Sequence, residues 1–306
     1  MGRYFIRRLL QTIPLMLIIS IFVFMFIHLI PGDPVRKIAG LDATKEEVDA
    51  LREQLGLNGS IVEQYFTYMN RLFHGDLGIS FKSNIPTAEL VGQRMVNTLK
   101  LALVGMIWAP ILGIVIGVIA AVKRGTFVDT LLMLFAITGL SAPGFWIGLM
   151  GIQIFAVKLG WLPVSGLANW KGLILPSFTM GIGIMAELAR YSRSSMLEVL
   201  REDYVRTARA KGQRESLVIF WHAFRNALIQ IVTILGLELG ALLSGAVLTE
   251  TVFSIPGIGR LLVDSIAFRD YPVIQALLML FAFQYVLINL IVDMLYGVIN
   301  PKIRLE

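Results

Sequence analysis

The side chains able to do chemistry are few and poorly placed for a conventional active site. Histidine occurs only at His28, His74 and His222, too scattered for a metal site, and cysteine is absent. That removes thiolate nucleophiles, disulfides and cysteine-ligated zinc or iron–sulfur centres. No H-E-x-x-H, G-x-S-x-G or G-x-x-x-x-G-K-[ST] run occurs, nor any Gly-Lys dipeptide, so neither hydrolysis nor ATP binding is expected of the chain itself. Two features remain. One is a set of carboxyl groups in apolar surroundings, Glu187, Glu238 and Asp293; the other is a dense basic stretch from Arg190 to Asn226. A carboxyl at membrane depth faces protein or water rather than lipid. Glu187 and Asp293 fall near the ends of apolar runs, where pairing or an interfacial place suits them. Glu238 lies a third to halfway along its run and either faces a polar path or packs inside, while Glu250 sits at an outer end.

The elements that must position these groups are set by hydropathy. Of 306 residues, 56% are hydrophobic and 16% charged, with a mean hydropathy of +0.74, against about 25% charged in soluble domains. Six apolar runs long enough to span a bilayer occur at about 9–30, 98–122, 129–157, 173–190, 227–251 and 274–299. The expected architecture is therefore an all-α integral membrane protein of six transmembrane helices. Residues 1–30 form an anchor helix that is too long for a cleaved signal peptide and is ended by Pro31 and Pro34. Residues 31–96 form an extracytoplasmic segment with helices near 45–55 and 62–73, residues 97–299 a five-helix core, and residues 300–306 a tail.

Lysine and arginine crowd the connections on one side: Arg3, Arg7 and Arg8, Lys123 and Arg124, the stretch from Arg190 to Arg225, then Lys302 and Arg304. The short connections on the other side hold only Lys158, Lys171, Arg260 and Arg269. This asymmetry predicts both termini inside, in a multi-pass protein of the cytoplasmic membrane. The formal net charge of +6 then reflects orientation toward anionic lipid; no nucleic-acid module frames it. Pro110, Gly113 and Gly117 in the second run, and Gly139 through Gly144 in the third, allow either bent helices lining a polar path or close packing through small residues. Ser141 and Pro143 are the path candidates alongside Glu238.

The stretch 191–226 reads as a helical hairpin. Ser195 with Glu198 has capping-box spacing, the pattern runs helical to Lys211, Gly212 suits a left-handed cap, and a second short helix starts near Glu215. Ala208, Ala210 and Gly212 give a low-profile tip ringed by Arg206, Arg209 and Lys211. Such a tip suits docking into a partner's groove; a solvated basic loop that only sets topology is the plainer alternative.

The sequence Asp203-Tyr-Val-Arg-Thr-Ala-Arg-Ala-Lys-Gly212, followed by His222-Ala-Phe-Arg-Asn226, resembles the coupling-loop signature of type I ABC-importer permeases of the dipeptide/oligopeptide/nickel group. Arg7-Arg8-Leu-Leu, Ile30-Pro-Gly-Asp-Pro34, Glu250-Thr-Val-Phe-Ser-Ile-Pro-Gly-Ile-Gly-Arg260, Arg269-Asp-Tyr-Pro272 and Asn300-Pro301 extend the resemblance over essentially the whole chain. The long segment after the first run is similar to the B-type member of the permease pair, as in dipeptide and glutathione permeases. Where many type I permeases have Glu-Ala-Ala, this chain has Arg206-Thr207-Ala208, so no residue here takes that glutamate's role.

The resemblance implies a transport subunit rather than an enzyme, with no cofactor of its own and with ATP and Mg on partner subunits. It implies two cytoplasmic ATPases, a homologous second permease and an extracytoplasmic solute-binding protein, with membrane lipid as solvent. Asp203, Tyr204, Arg206, Thr207, Ala208, Arg209, Ala210, Lys211 and Gly212 become the ATPase-coupling residues. The outside connection 253–271 is expected to fold as short helical pieces, with Ser254, Pro256, Gly257 and Arg260 docking the binding protein together with segment 31–96. Small peptides come first as substrate, then glutathione, then nickel or another metal chelate; the compact connection between the third and fourth runs leans toward the glutathione-type branch. The rivals are an ion-coupled carrier, for which Glu238 is the single well-placed carboxyl and no inverted repeat is seen, and a membrane hydrolase, which lacks its motifs.

Overall fold

The computed structural model describes residues 2–29, 34–39, 43–54 and 58–299. Residues 30–33, with most of the Ile30–Pro34 motif, and residues 300–306, with Asn300-Pro301 and the tail, lie outside the described residues. Among those described, regular structure is helical apart from one antiparallel bridge between Ile79 and Pro86. In chain order the helices are α1 (Gly2–Leu29), α2 (Pro34–Ala39), α3 (Lys45–Gln54), α4 (Ile61–Phe73), α5 (Thr87–Val122), α6 (Phe127–Ser141) and α7 (Gly144–Gly151, continued by a π-helical turn Ile152–Lys158). They continue as α8 (Ile174–Val199), α9 (Asp203–Ala210), α10 (Glu215–Leu217, joined by π-helical Val218–Phe224 to α11, Arg225–Val252), α12 (Ile258–Phe268) and α13 (Tyr271–Ile299).

Four helices are long and apolar enough to cross a membrane alone, and the bent pairs 127–158 and 215–238 bring the count to six. The six apolar runs thus correspond to α1, α5, α6 with α7, α8, α11 and α13. Hydropathy marks the membrane and not the helix ends. α5 has 36 residues, roughly 54 Å at ~1.5 Å per residue, so its first turns, carrying Glu89, Gln93 and Arg94, stand clear of the ~30 Å apolar layer.

Among the described residues, α5 on α8 is the most extensively packed helix pair. Gly113 and Gly117 lie over the Met185 and Ala189 carbonyls, where any Cβ would collide with backbone. In the second run the small residues therefore serve close packing, as helix association within lipid requires. Leu188, Met196 and Ile231 seal the core behind them. At the end of this packing nearest the hairpin, Asp129 accepts a bidentate pair of hydrogen bonds from Arg193, at 2.7 and 2.8 Å, joining α6 to α8. Asp129 also accepts from the Gly125 N–H at 3.0 Å, so a buried carboxylate is both paired and hydrogen-bonded.

The third run behaves differently. α6 and α7 meet at 100°, because Pro143 lacks the N–H that would close the next turn onto Gly139. Between α1 and α5, α3 and α4 stand where helices were expected. The Ser60 side chain accepts from the Glu63 N–H while the Glu63 carboxylate accepts from the Ser60 N–H, a complete capping box.

Candidate functional site

Both arms of the hairpin 191–226 are direct extensions of membrane helices. α8 runs unbroken to Val199, so Ser195 is no N-cap; it lies mid-helix and its hydroxyl donates to the Ala227 carbonyl at 3.3 Å. A capping-box spacing inside a longer helix is only a spacing, and the true start of the next element is Glu202 before α9. Gly212 has φ +73°, a left-handed residue that ends α9 as expected, and the chain returns through α10 into α11.

α9 buries Val205 and Ala208 against Val218, Val199 and Leu200. Ala208 is therefore turned into the hairpin's own core and is not part of its outer tip. Its small side chain lets α9 approach α10. The outward surface consists of Tyr204, Arg206, Thr207, Arg209, Ala210, Lys211 and Gly212, with Asp203 exposed at its start. Arg209 reaches across to Glu215 at 2.7 Å, and this contact holds its guanidinium above its ordinary value. Gln213 and His222 meet at 2.7 Å, the Asn226 amide donates to the His222 carbonyl at 2.8 Å, and partial burial pushes up the Tyr204 phenol beside it. The tip is thus an exposed surface with three basic side chains and one acidic one, on a stapled support.

At the opposite end of α11 two buried carboxyl groups fasten the connections that lie there. Glu250 is fully buried; it accepts from the Thr98 hydroxyl at 2.5 Å and from the Arg260 N–H at 2.9 Å. Thr98 in turn accepts from the Ile258 N–H at 3.0 Å, and the Asn97 amide donates to the Pro256 carbonyl at 2.9 Å. The carboxylate sits at the N-terminus of α12, where unpaired N–H groups and the helix dipole favour it. A Cβ on Gly257 would collide with it, so that position must stay bare. Of the docking candidates, Gly257 is buried in this fastening, Pro256 is half-buried within it, and Ser254 and the Arg260 side chain face outward.

Asp270 is the second fastener. It accepts from the Ser80 hydroxyl at 2.5 Å and the Phe81 N–H at 2.9 Å, while Lys82 sits 3.5 Å above the Phe268 ring. These contacts dock loop 79–86 onto the start of α13.

The path candidates are partly together. Ser141 and Pro143 form the exposed bend between α6 and α7, and Ser141 donates to the Ile137 carbonyl at 2.9 Å. Beside them a cleft of about 450 Å³ runs between α6 and α8, from Leu140 past Ile137 and Met133 to Arg190 and Arg193 at the root of the hairpin. Glu238 is elsewhere, half-buried and close to Glu187 across α8 and α11. The Asp293 side chain lies outside the described residues.

Asp129, Glu250 and Asp270 received no role from sequence reading. One signal was there to be read: Asp129 is the only acidic residue between Glu89 and Glu187, and a lone carboxyl bordering apolar runs needs a partner.

Comparison with known proteins adds sequence kinship to this geometry. Residues 113–305 match the family described as binding-protein-dependent transport system inner membrane component, and residues 1–102 match its N-terminal region. Glutathione transport system permease protein GsiC of Escherichia coli strain K12 is 48% identical over 304 residues, 99% of each chain. The protein of the same name from Pectobacterium atrosepticum is equally similar, 48% over 304 residues and 99% of each chain. Among solved structures, the inward-facing MetNI methionine ABC transporter matches at TM-score 0.60 and 18% identity, covering 70% of this chain and 98% of that one. An amino acid ABC transporter crystallised with histidines matches at 0.52 and 14%, covering 68% and 94%. At such identities these two structures speak for the fold alone.

Proposed function

The chain belongs to the inner membrane components of binding-protein-dependent transport systems, and from that premise we propose that it carries short peptides, glutathione foremost, into the cytoplasm. It is the permease subunit of an ABC importer, embedded in the membrane by several spans and working with ATPase and solute-binding partners. The observation that carries the substrate reading is the 48% identity, end to end, with permeases of glutathione transport systems. Glutathione and dipeptides share an ammonium, carboxylates and peptide groups, so one path lined by a few polar groups serves both. Nickel chelates are the less favoured substrate.

In this reading a homologous second permease completes the path, two ATPase subunits bind ATP and Mg, and both termini face the cytoplasm. The hairpin tip engages an ATPase groove through Arg206, Thr207, Ala210 and Lys211. Because α8 and α10–α11 run directly into the hairpin, a push on α9 reaches the membrane helices through only the short turns 200–202 and 211–214. α11 carries that displacement to Glu250, which holds the outer loop and α12, where the binding protein docks around Ser254 and Arg260. Two states biased in common by nucleotide and by loaded binding protein follow from such a lever. The exposed bend at Ser141–Pro143 and the α6–α8 cleft support a path on that face, since irregular backbone at membrane depth needs protein or water beside it.

The test is uptake into proteoliposomes holding this chain with its partner subunits and binding protein. ATP-dependent accumulation of labelled glutathione, competed by dipeptides, supports the reading. Accumulation of nickel but of neither peptide overturns the substrate, and uptake driven by an ion gradient without ATP overturns the mechanism.

A further inference from the structure

α4 is amphipathic in two separate stripes. Tyr65, Tyr68 and Leu72 recur at helical spacing on one side, and Val62, Phe66, Met69 and Phe73 form the neighbouring stripe, while Glu63, Thr67 and Asn70 occupy the opposite face. The first stripe is already covered. The Tyr65 hydroxyl lies 2.9 Å from the Ser20 hydroxyl, and the Phe24 ring packs edge-on against Tyr65 and stacks on Tyr68 at centroid distances of 5.4 and 5.9 Å. The second stripe is open: Val62 is 63% exposed, Phe66 66% and Phe73 77%.

What covers that stripe follows from depth. The apolar run of α1 ends near Ile30, so Phe24, which packs on both tyrosines, lies six residues inside its end, roughly 9 Å at ~1.5 Å per residue, and Ser20 lies deeper still. A tyrosine reaching Ser20 from α4 therefore holds that helix at the level of the headgroup and acyl boundary, not above it. The exposed side of α1 at the same level is itself apolar, with Phe22, Met25 and Phe26 facing outward, and the open stripe of α4 continues this lipid-facing surface. Amphipathic helices with aromatic rims partition into this layer to a depth of about 5–10 Å.

We propose that α4 lies in the membrane interface of the leaflet where α1 emerges, with Val62, Phe66 and Phe73 among the upper acyl chains and Glu63, Thr67 and Asn70 toward water. The bound partner is the phospholipid bilayer itself. α4 then braces the anchor helix against the bilayer and fixes the level at which the rest of the extracytoplasmic segment begins. The inference is independent of which solute is carried.

Because the chain contains no cysteine, single-cysteine variants Phe66→Cys, Phe73→Cys and Asn70→Cys can each carry one environment-sensitive fluorophore. The full chain with its partner subunits is placed in nanodiscs of phosphatidylethanolamine and phosphatidylglycerol, doped with phosphatidylcholine carrying a spin label near the headgroup or at the end of the acyl chain. The complex with the unsubstituted chain reports labelling background. The expected result is several-fold loss of fluorescence at positions 66 and 73 from the shallow label, little from the deep one, and at position 70 quenching by aqueous iodide instead. If a variant does not purify, Val62→Cys reports on the same stripe. Iodide quenching at 66 and 73 equal to that at 70 would overturn the proposal. So would shielding from both lipid and water, which means a protein partner, or lipid quenching that disappears when the solute-binding protein docks.

Discussion

Replacing Asp270 with alanine should release loop 79–86 from the start of α13 while leaving the membrane core intact. The carboxyl takes hydrogen bonds from the Ser80 hydroxyl at 2.5 Å and the Phe81 N–H at 2.9 Å, and a long, weak one from the Lys82 N–H at 3.4 Å, in a site where both Asp270 and Ser80 are buried. Hydrogen bonds to a charged group contribute about 1.5–3 kcal/mol each, and water recovers part of that at Phe81, so a net local loss of roughly 2–4 kcal/mol is expected. At about 1.4 kcal/mol per tenfold, that is roughly thirty- to several-hundred-fold in the local opening constant. Hydrogen exchange read on peptides covering residues 77–86 measures it directly. Exchange there should accelerate by that factor, while peptides from α5, α8 and the hairpin keep their wild-type rates. Asp270→Asn, which keeps one carbonyl acceptor, should fall between. Unchanged exchange at Phe81 would refute the reasoning, and acceleration spread evenly over the whole chain would show that Asp270 holds the fold rather than the loop.

Three further outcomes follow from the same geometry. Ala208→Glu places a charge in the packing of Val205, Val218 and Leu200 and should make the hairpin sensitive to limited proteolysis, whereas Ala210→Glu, on the exposed side, should leave cleavage unchanged. Asp129→Ala strands Arg193, whose side chain is 29% exposed; the expected destabilisation is about 1–3 kcal/mol, below the 3–5 of a fully buried pair, read as a lower melting temperature in detergent. The double variant Asp129→Ala with Arg193→Met should recover part of that loss. Arg209 holds the Glu215 carboxyl below its ordinary value, so its support of the hairpin is present at and above that value and is lost as pH falls through the lowered one. Protease resistance of the hairpin should therefore be flat from about pH 5.5 to 8 and decline only in acid below the ordinary carboxylate range of about 4.3.

The six spans and the hairpin were legible because hydropathy and a glycine that must be left-handed are local signals: α1, α5, α8 and α13 are where the apolar runs fall, and Gly212 ends α9. Local patterns also misled. Ser195 and Glu198 have the spacing of a cap but lie within α8, since nothing between them and the membrane breaks the helix. Ala208 and Ala210 look alike in sequence, and only the return of Val218 decides which one is buried. The outer fastenings were not legible for a different reason. Thr98 and Glu250 are 152 residues apart and Ser80 and Asp270 190, so each carboxyl's partner is fixed by how α5, α11 and α13 pack rather than by neighbouring residues. The break at Pro143 was marked by its residues, but its angle depends on the packing of α7 on α8.

The most direct measurement is what co-elutes with the affinity-tagged chain in mild detergent, compared with a variant carrying Arg206→Glu and Ala210→Glu on the exposed face of the tip. The permease reading with α9 as coupling surface predicts ATPase subunits with the wild type, and their loss from the variant while a second permease is retained. A wild-type chain that elutes alone and still moves solute without ATP, or a variant that keeps its ATPases in full, would contradict it.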